Sequence, residues 1–194
     1  MRRVAVITGS RADFGLLRST MDAIETHPDL ELQVVASGAH LLPPDRTIEE
    51  VRSRVRVDAV VEMQSPGVFG RSADAAAVGR GVSGFAEVLD RLDPQVVLVL
   101  GDRIEAFAAA SAASIGGRIL AHVHGGDRAE GVADEAMRHA ITKLAHLHFA
   151  ATEESGERIL RLGEAPSTVH VVGSPAIDGL EEMTSLDDAR HAAW

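Results

Sequence analysis

Short apolar runs alternate along this chain with longer segments in which apolar residues recur every third or fourth position. A short apolar run is typical of a buried strand, and the longer period is typical of an amphipathic helix. The predicted strands cover residues 4–8, 30–36, 57–61, 96–100, 118–123, 147–151 and 169–172. The predicted helices cover residues 13–25, 73–92, 103–114, 134–144, 153–162 and 177–183. This regular alternation predicts an α/β fold with a doubly wound, Rossmann-like parallel sheet.

The composition excludes several classes of function. A formal net charge of -10 over 194 residues argues against a nucleic-acid-binding surface, which needs a basic face. Cysteine is absent, which excludes disulfides and thiolate nucleophiles, and tyrosine is absent, which excludes sugar epimerases that use a tyrosine as acid/base. The first apolar run is too short for a signal peptide, and none approaches the roughly 20 residues of a membrane helix. We therefore expect no membrane partner and a cytoplasmic location.

Glycines and charged residues follow nearly every predicted strand at its carboxyl end. In an open parallel sheet the ligand binds beyond that edge, so the segments after the strands form the candidate site. In chain order they read TGSRADFG (8–15), SGAH (37–40), GDRIE (101–105), HVHGGD (122–127), TEES (152–155) and GSP (173–175). Purely structural loops would supply turn residues, but not acids, arginines and histidines at so many positions.

Three of these candidates lie where a helix begins. Arg11 suits an anion contact at a helix N-terminus, although a surface arginine near a cap has the same sequence. Asp13 suits a neighbouring contact or simply caps its helix. Asp102 follows the most apolar strand, where a carboxylate is costly without a partner such as Arg103 or a histidine. Its alternative role is a cap for the helix over 103–114.

His122 and His124 lie two residues apart at a strand end, so we expect their side chains to point the same way. With Asp127 they could hold a metal ion, although neutral hydrogen-bonding histidines are commoner. The helix over 134–144 has an apolar stripe and a polar face. The polar face comprises Glu135, Arg138, His139 and Thr142, with Asp134 one turn before Arg138. That face forms either an exposed ion pair within the helix or a carboxylate and a cation aimed at the ligand.

The motif G-x-G-x-x-G occurs at residues 79–84, with Asp102 downstream at a distance typical of dinucleotide-binding sites. That fingerprint requires a preceding strand, whereas residues 72–78 are alanine-rich and helical in pattern. We therefore predict no dinucleotide site at this motif.

Five motifs together resemble one family of enzymes. They are TGSRADFG (8–15), GDRIEAF (101–107), HVHGGD (122–127), DEAMRHAITKLAHLH (134–148) and GSPAID (173–178). In this order they resemble the hydrolysing UDP-N-acetylglucosamine 2-epimerases, in particular the branch that feeds sialic or legionaminic acid synthesis. The block over 134–148 is the most specific part of the resemblance.

The resemblance implies a two-domain, glycosyltransferase-B-like fold with the active site between the domains. Residues 1–175 are then the N-terminal Rossmann-like catalytic half, residues 176–194 are an interdomain linker or terminal helix, and the nucleotide-binding C-terminal domain is absent. The resemblance also implies a UDP-sugar substrate, a homodimer in the full-length form, and no metal or redox cofactor.

The implied reaction removes the proton at C2 of the sugar with elimination of UDP. Water then adds to the glycal and releases a sugar of the N-acetylmannosamine type, which needs a positioned base and cations near the departing UDP. By matching motif, the catalytic residues are Asp102, Asp134, His124 and Asp127. The substrate-binding residues are Arg11, Asp13, Arg103, His122, Arg138, His139 and Ser174. His124 is a departure, because several relatives carry a glutamate there, and Asp127 replaces a more usual glutamate.

Two other classes of function stay open. The chain could be a non-catalytic nucleotide-sugar-binding or assembly module, because the resemblance covers one wall of the cleft. It could also be a metal-dependent hydrolase that uses His122, His124 and Asp127. Within the epimerase interpretation, the substrate is either UDP-N-acetylglucosamine or a 4-acetamido, 6-deoxy relative.

Overall fold

The computed structural model describes residues 1–44, 46–128 and 133–178, and within those ranges seven strands form one sheet. They are β1 (Arg2–Thr8), β2 (Leu30–Ser37), β3 (Ala59–Val61), β4 (Val96–Leu100), β5 (Ile119–Val123), β6 (Leu147–Ala150) and β7 (Val169–Val171). Their order across the sheet is β3-β2-β1-β4-β5-β6-β7, and all neighbouring pairs are parallel. The predicted strands are confirmed, each within two residues at either end.

Six α-helices lie in the described ranges. They are α1 (Arg11–Thr26), α2 (Ile48–Arg54), α3 (Arg71–Leu92), α4 (Ile104–Ile115), α5 (Ala133–Leu144) and α6 (Glu153–Arg161). The sequence predicts five of them within two residues but misses α2, in which Ile48 and Val51 are the buried positions, too few to show a period. The helix predicted over 177–183 falls largely outside the described residues. Within them, a 3₁₀ turn covers Pro175–Ile177.

Helices cover both faces of the sheet, and the alternation along β1 shows how. Ala5 and Ile7 point to a core shared with α3, α4 and α5, whereas Val4 and Val6 point to a core shared with α1. In the second core, Leu17 is 0% exposed, and burial of one such side chain contributes roughly 1.5–3 kcal/mol. This alternation explains why the central strands consist of continuous apolar runs.

The G-x-G-x-x-G motif lies inside α3, so the prediction that it is not a dinucleotide loop is confirmed. Its middle glycine has a packing role instead. A Cβ atom at Gly81 would lie 2.9 Å from Ala108 Cβ, which shows how closely α3 approaches the alanine-rich α4.

The face of the sheet that carries α1 has an apolar groove of about 470 Å³ beside that helix. Its floor includes Leu98, Val123 and Phe149 from three successive strands, and Ile24 of α1 lies along one side. No described helix is both long enough and apolar enough to cross a lipid bilayer.

The strand order changes direction between β1 and β4. In a doubly wound sheet, the helices that follow these two strands diverge to opposite faces, which opens a crevice at the carboxyl edge. The segments that follow β1, β4, β5, β6 and β7 therefore border the same edge, and the candidate residues lie in those segments.

Candidate functional site

A buried carboxylate, Glu105, lies at the point where the strand order reverses. It is 1% exposed and accepts a hydrogen bond from Arg103 Nε at 3.2 Å. Two glycines make room for it: a Cβ atom would lie 2.9 Å from Glu105 Cγ at Gly9 and 2.7 Å at Gly38, which has a left-handed φ of 59°. Glu105 is not among the residues predicted for the site, although a lone acid in an alanine-rich helix is a signal for a buried carboxylate.

Asp13 forms a capping box at the start of α1. Its carboxylate accepts from Gly9 N at 2.9 Å, from Ser10 N at 2.8 Å and from the Thr8 hydroxyl at 2.8 Å, and Ser10 Oγ accepts from Asp13 N. The capping interpretation is therefore confirmed. Substrate binding by Asp13 stays a prediction.

Arg11 projects from the first turn of α1 into solvent. Its side chain is 76% exposed, and Nε lies 3.4 Å from Glu50 Oε2. It borders an open cleft of about 430 Å³ together with Ala39, Thr47 and Glu50. This exposure is compatible with both interpretations of Arg11, as a contact for an anionic ligand at the edge and as an ordinary surface arginine. Its contact with the substrate stays a prediction.

Asp102 forms an ion pair with Arg138 of α5, which the sequence did not identify as its partner. Both side chains are largely buried, at 17% and 11% exposure, so water screens their attraction weakly. The alternative role as a cap of α4 is wrong, because Arg103 is the N-cap residue and makes no side-chain capping bond. Arg103 instead pairs with Glu105.

His124 and Asp127 join this ion pair through the same arginine. Arg138 Nη1 lies 3.7 Å from Asp127 Oδ2 and 3.4 Å from the His124 carbonyl oxygen. His124 Nδ1 lies 2.9 Å from Asp127 Oδ2, and Ser174 Oγ lies 3.0 Å from His124 Nε2. The structure thus brings five of the predicted site residues into one cluster: Asp102, His124, Asp127, Arg138 and Ser174.

Hydrogen bonds keep Asp127 ionised. Burial alone would raise its pKa, but hydrogen bonds from His124 and Ser155 and the charge of Arg138 outweigh burial, and the pKa lies below its ordinary value. Ser155, which is 2% exposed, donates to Asp127 Oδ1 at 2.7 Å. Ser155 belongs to the strand-end segment TEES (152–155), but no function was predicted for it from the sequence.

The first turns of α6 clamp the loop that carries Asp127. Arg158 Nη1 donates to the Gly126 carbonyl oxygen at 2.9 Å. Gly126 has a φ of 75°, and a Cβ atom there would lie 2.9 Å from the Ser155 carbonyl carbon. The close approach of α6 therefore requires glycine at this position.

His122 lies beneath the cluster rather than in it. Its ring is 0% exposed, with Nε2 2.8 Å from the Gly101 carbonyl oxygen and Nδ1 3.2 Å from Thr142 Oγ1. Burial lowers its pKa to about 4, and because a carbonyl only accepts, Nε2 carries the hydrogen. Contact between His122 and the substrate stays a prediction, and in this structure the ring supports the end of β4 and the helix α5.

The two histidines do not share an orientation. β5 ends at Val123, and His124 has a φ of 64°, so strand alternation does not extend to it. Because both nitrogens of His122 already have partners, the metal-dependent hydrolase interpretation loses a ligand. No group of three or more potential ligands in the described residues is arranged to hold a metal ion.

Two further candidates have different surroundings. His139 is 41% exposed, and its Nε2 lies 4.0 Å from Glu135 Oε1 on the same helix, so the structure does not bring it into the cluster. The side chain of Asp134 lies outside the described part of the chain. The cluster itself offers a fixed cation, two carboxylates and an imidazole with one nitrogen facing a hydroxyl, which suits proton transfer next to a developing negative charge.

A parallel sheet in the order 3-2-1-4-5-6-7, with acids, arginine and histidine at its carboxyl edge, defines a Rossmann-like α/β domain. The family described as UDP-N-acetylglucosamine 2-epimerase matches residues 22–193. The chain belongs to this family.

Relatives of the chain include two proteins with 34% and 38% identity. A UDP-N-acetylglucosamine 2-epimerase of Neisseria meningitidis serogroup B is 34% identical over 194 residues, which are 98% of this chain and 50% of the relative. A UDP-N,N'-diacetylbacillosamine 2-epimerase (hydrolyzing) of Legionella pneumophila is 38% identical over 191 residues, 97% of this chain and 50% of the relative.

The fold is similar to that of a solved UDP-GlcNAc 2-epimerase from Neisseria meningitidis bound to UDP-GlcNAc. The TM-score is 0.83 at 23% identity, over 100% of this chain and 53% of the solved one. The predicted fold class, one half of a glycosyltransferase-B-like architecture, is confirmed. The chain spans about half the length of the relatives it matches and corresponds to their N-terminal domain.

Proposed function

We propose that this chain is the catalytic N-terminal half of a hydrolysing 2-epimerase that acts on a UDP-linked N-acetylated hexosamine in sialic or related nonulosonic acid synthesis. Residues 1–175 carry the catalytic wall, and residues 176–194 lead to a second domain that holds the uridine diphosphate. The full-length protein works as a homodimer in the cytoplasm without a metal or redox cofactor. Family membership and the Legionella relative support this proposal.

The observation that carries the proposal is the cluster formed by Asp102, Arg138, Asp127 and His124 at the edge of β4 and β5. Elimination of UDP leaves negative charge on the departing diphosphate and requires a group that takes the C2 proton. A buried guanidinium stabilises such charge more strongly than an exposed one, because little water competes for it. Carboxylates and an imidazole within reach of the same guanidinium supply the acid/base groups.

Asp102 and Asp134 act in the proposed reaction as the acid/base carboxylates. When the C2–H bond breaks, its electron pair forms the C1–C2 double bond, and UDP departs with the electrons of the C1–O bond. Water then adds its oxygen to C1, while C2 takes a proton from the opposite face and so acquires the epimeric configuration. Arg11, Arg103 and His139 bind the substrate in this proposal.

The test is to incubate UDP-N-acetylglucosamine with the two-domain protein and to follow UDP and sugar by nuclear magnetic resonance. The hydrolysing reaction releases free UDP and free N-acetylmannosamine, whereas a non-hydrolysing epimerase yields UDP-N-acetylmannosamine. Asp102→Asn should reduce UDP release by at least about 100-fold, because an amide neither accepts the proton nor pairs with Arg138 as an ion. Asp90→Asn is the matched control, since that side chain is 80% exposed. Equal loss in both variants would contradict the role of Asp102.

The same assay tests which of two nucleotide sugars is the preferred substrate. UDP-N-acetylglucosamine and UDP-N,N'-diacetylbacillosamine are compared by kcat/KM, because the two sugars named for the relatives differ at C4 and C6. Preference for either identifies the sugar that the pocket accepts.

A non-catalytic nucleotide-sugar-binding module is the second candidate, favoured by the fact that the chain spans half the length of its relatives. Turnover by the 194-residue chain alone would rule it out. Binding of UDP-N-acetylglucosamine with no turnover by the two-domain protein would favour it.

A further inference from the structure

Three side chains of the cluster form a line of hydrogen bonds to which no individual step of the proposed reaction has been assigned. Ser174 Oγ lies 3.0 Å from His124 Nε2, His124 Nδ1 lies 2.9 Å from Asp127 Oδ2, and Ser155 donates to the other carboxylate oxygen, Oδ1, at 2.7 Å. These are the separations of a hydroxyl, a base and an orienting carboxylate. The line connects the ends of β5 and β7, which are separated by β6 in the sheet.

The direction of each hydrogen bond follows from the chemistry of its two atoms. An ionised carboxylate only accepts, so His124 Nδ1 carries the hydrogen that points to Asp127. In the neutral ring Nε2 is then a lone pair, and it accepts from the Ser174 hydroxyl. Ser174 Oγ in turn accepts from Ala176 N at 3.2 Å. The hydroxyl proton of Ser174 is therefore directed at a free base.

The backbone holds His124 in an unfavourable conformation to make this line. Its φ of 64° lies in the left-handed region, which is uncommon for residues other than glycine, although histidine adopts it more often than most. Such strain persists where surrounding contacts fix it, and it concentrates at functional sites. Here both ring nitrogens and the carbonyl oxygen of His124 have partners, namely Asp127, Ser174 and Arg138.

The line is accessible at its outer end. The side chains of His124 and Asp127 are 17% and 24% exposed, and Ser174 is half-buried at the carboxyl edge. The inner end is closed by Ser155, which is 2% exposed. A small molecule at the edge can therefore reach the hydroxyl, whereas Asp127 Oδ1 stays committed to the protein.

We propose that Ser174 is a catalytic residue that activates the water of the hydration step, with His124 as the base behind it and Asp127 as its orienting group. This inference rests on the proposed function. The water oxygen bonds to C1 of the glycal, one water proton passes to Ser174 Oγ as the Ser174 proton passes to His124 Nε2, and C2 takes a proton from a protonated carboxyl group of the acid/base pair. The proton on His124 afterwards returns to that carboxylate through solvent.

Elimination of UDP precedes the hydration step and does not use this relay of Ser174, His124 and Asp127. Loss of the hydroxyl should therefore separate the two half-reactions, which a merely structural change would not do. In Ser174→Ala, UDP release in the first turnover should stay within about twofold, while free sugar falls by about 100-fold and the glycal accumulates. Ser174→Thr keeps a hydroxyl and should retain free-sugar release.

The experiment uses the two-domain protein in single-turnover reactions, with UDP, glycal and free sugar quantified from each quenched sample. Ser167→Ala is the matched control, because that serine is exposed and belongs to a different turn. An equal fall of UDP and sugar in Ser174→Ala, or no fall in either, would overturn the relay while leaving the proposed function intact. If the parent protein releases no UDP, both proposals fail.

Discussion

The buried ring of His122 makes the stability of this domain depend on pH. Burial lowers its pKa to about 4 in the folded state, against about 6.5 in an unfolded chain. Between these values the unfolded state binds more protons than the folded state, so stability is lost as pH falls from about 6.5 to about 4. The full loss amounts to about 3 kcal/mol for this one group.

His122→Gln removes that titration while keeping an N–H that can donate to the Gly101 carbonyl oxygen. We expect the free energy of unfolding in urea to fall less steeply between pH 6.5 and 4 in this variant than in the parent chain. Part of the dependence should remain, because burial also lowers the pKa of His40 and of His148. His27→Gln, at an exposed position, should leave the slope as it was. An unchanged slope in His122→Gln would show that the pKa of the ring is the same in the folded and unfolded states.

The sequence identified residues that the structure brings into one cluster, but it did not predict which of them pair. Asp102, His124, Asp127 and Ser174 were found because they follow strands in the sequence. Their pairings were not, because Asp102 meets Arg138 across 36 residues and Ser174 meets His124 across 50. The buried position of His122 was not predicted either, because alternation along a strand does not tell which face lies under α5.

At the scale of elements, α1 shows how a local signal fixes a helix start. Its Ser10 and Asp13 satisfy each other's backbone N–H groups, so the helix begins at Arg11, two residues before the position that the apolar period predicts. This start places Arg11 in the first turn of α1, beside the cleft that it borders with Ala39, Thr47 and Glu50. The period alone marks the buried face of a helix and cannot mark its first turn.

Removal of the cap should therefore be measurable. Ser10→Ala loses the oxygen that accepts from Asp13 N, and we expect it to lower the free energy of unfolding by about 1 kcal/mol. Ser53→Ala near the end of α2 is the control, with an expected change below about 0.5 kcal/mol, because that serine is exposed. Urea denaturation of both variants gives the comparison. Equal stabilities would mean that Asp13 holds the turn without the serine.

On the scale of the whole molecule, the sheet sets a gradient of stability from its centre to its edges. β1 and β4 lie between other strands and are covered by cores on both faces, whereas β7 is an edge strand with two exposed residues. Local opening of an edge exposes little apolar surface, so it requires less free energy than opening of the centre. The groove beside α1 lies between these regions and leaves part of β5 and β6 less covered.

Hydrogen exchange should follow that gradient. We expect the slowest backbone amides in the stretches 5–7 and 97–99, and the fastest strand amides in β7 and in the three-residue β3. Mass spectrometry of peptides after timed exchange in deuterated buffer measures the order. Protection of β7 equal to that of β4 would show that the edge is covered in solution.

Gly126 limits how the sequence of this loop can change during evolution. Any substitution of Gly126 introduces a side chain where the Ser155 backbone already lies, at a residue with a left-handed φ. Substitution of the neighbouring His124 or Asp127 alters the chemistry of the loop and also removes hydrogen bonds that hold it. New specificities can therefore arise in this loop by exchange of the residues around Gly126, while the glycine itself has no neutral substitute.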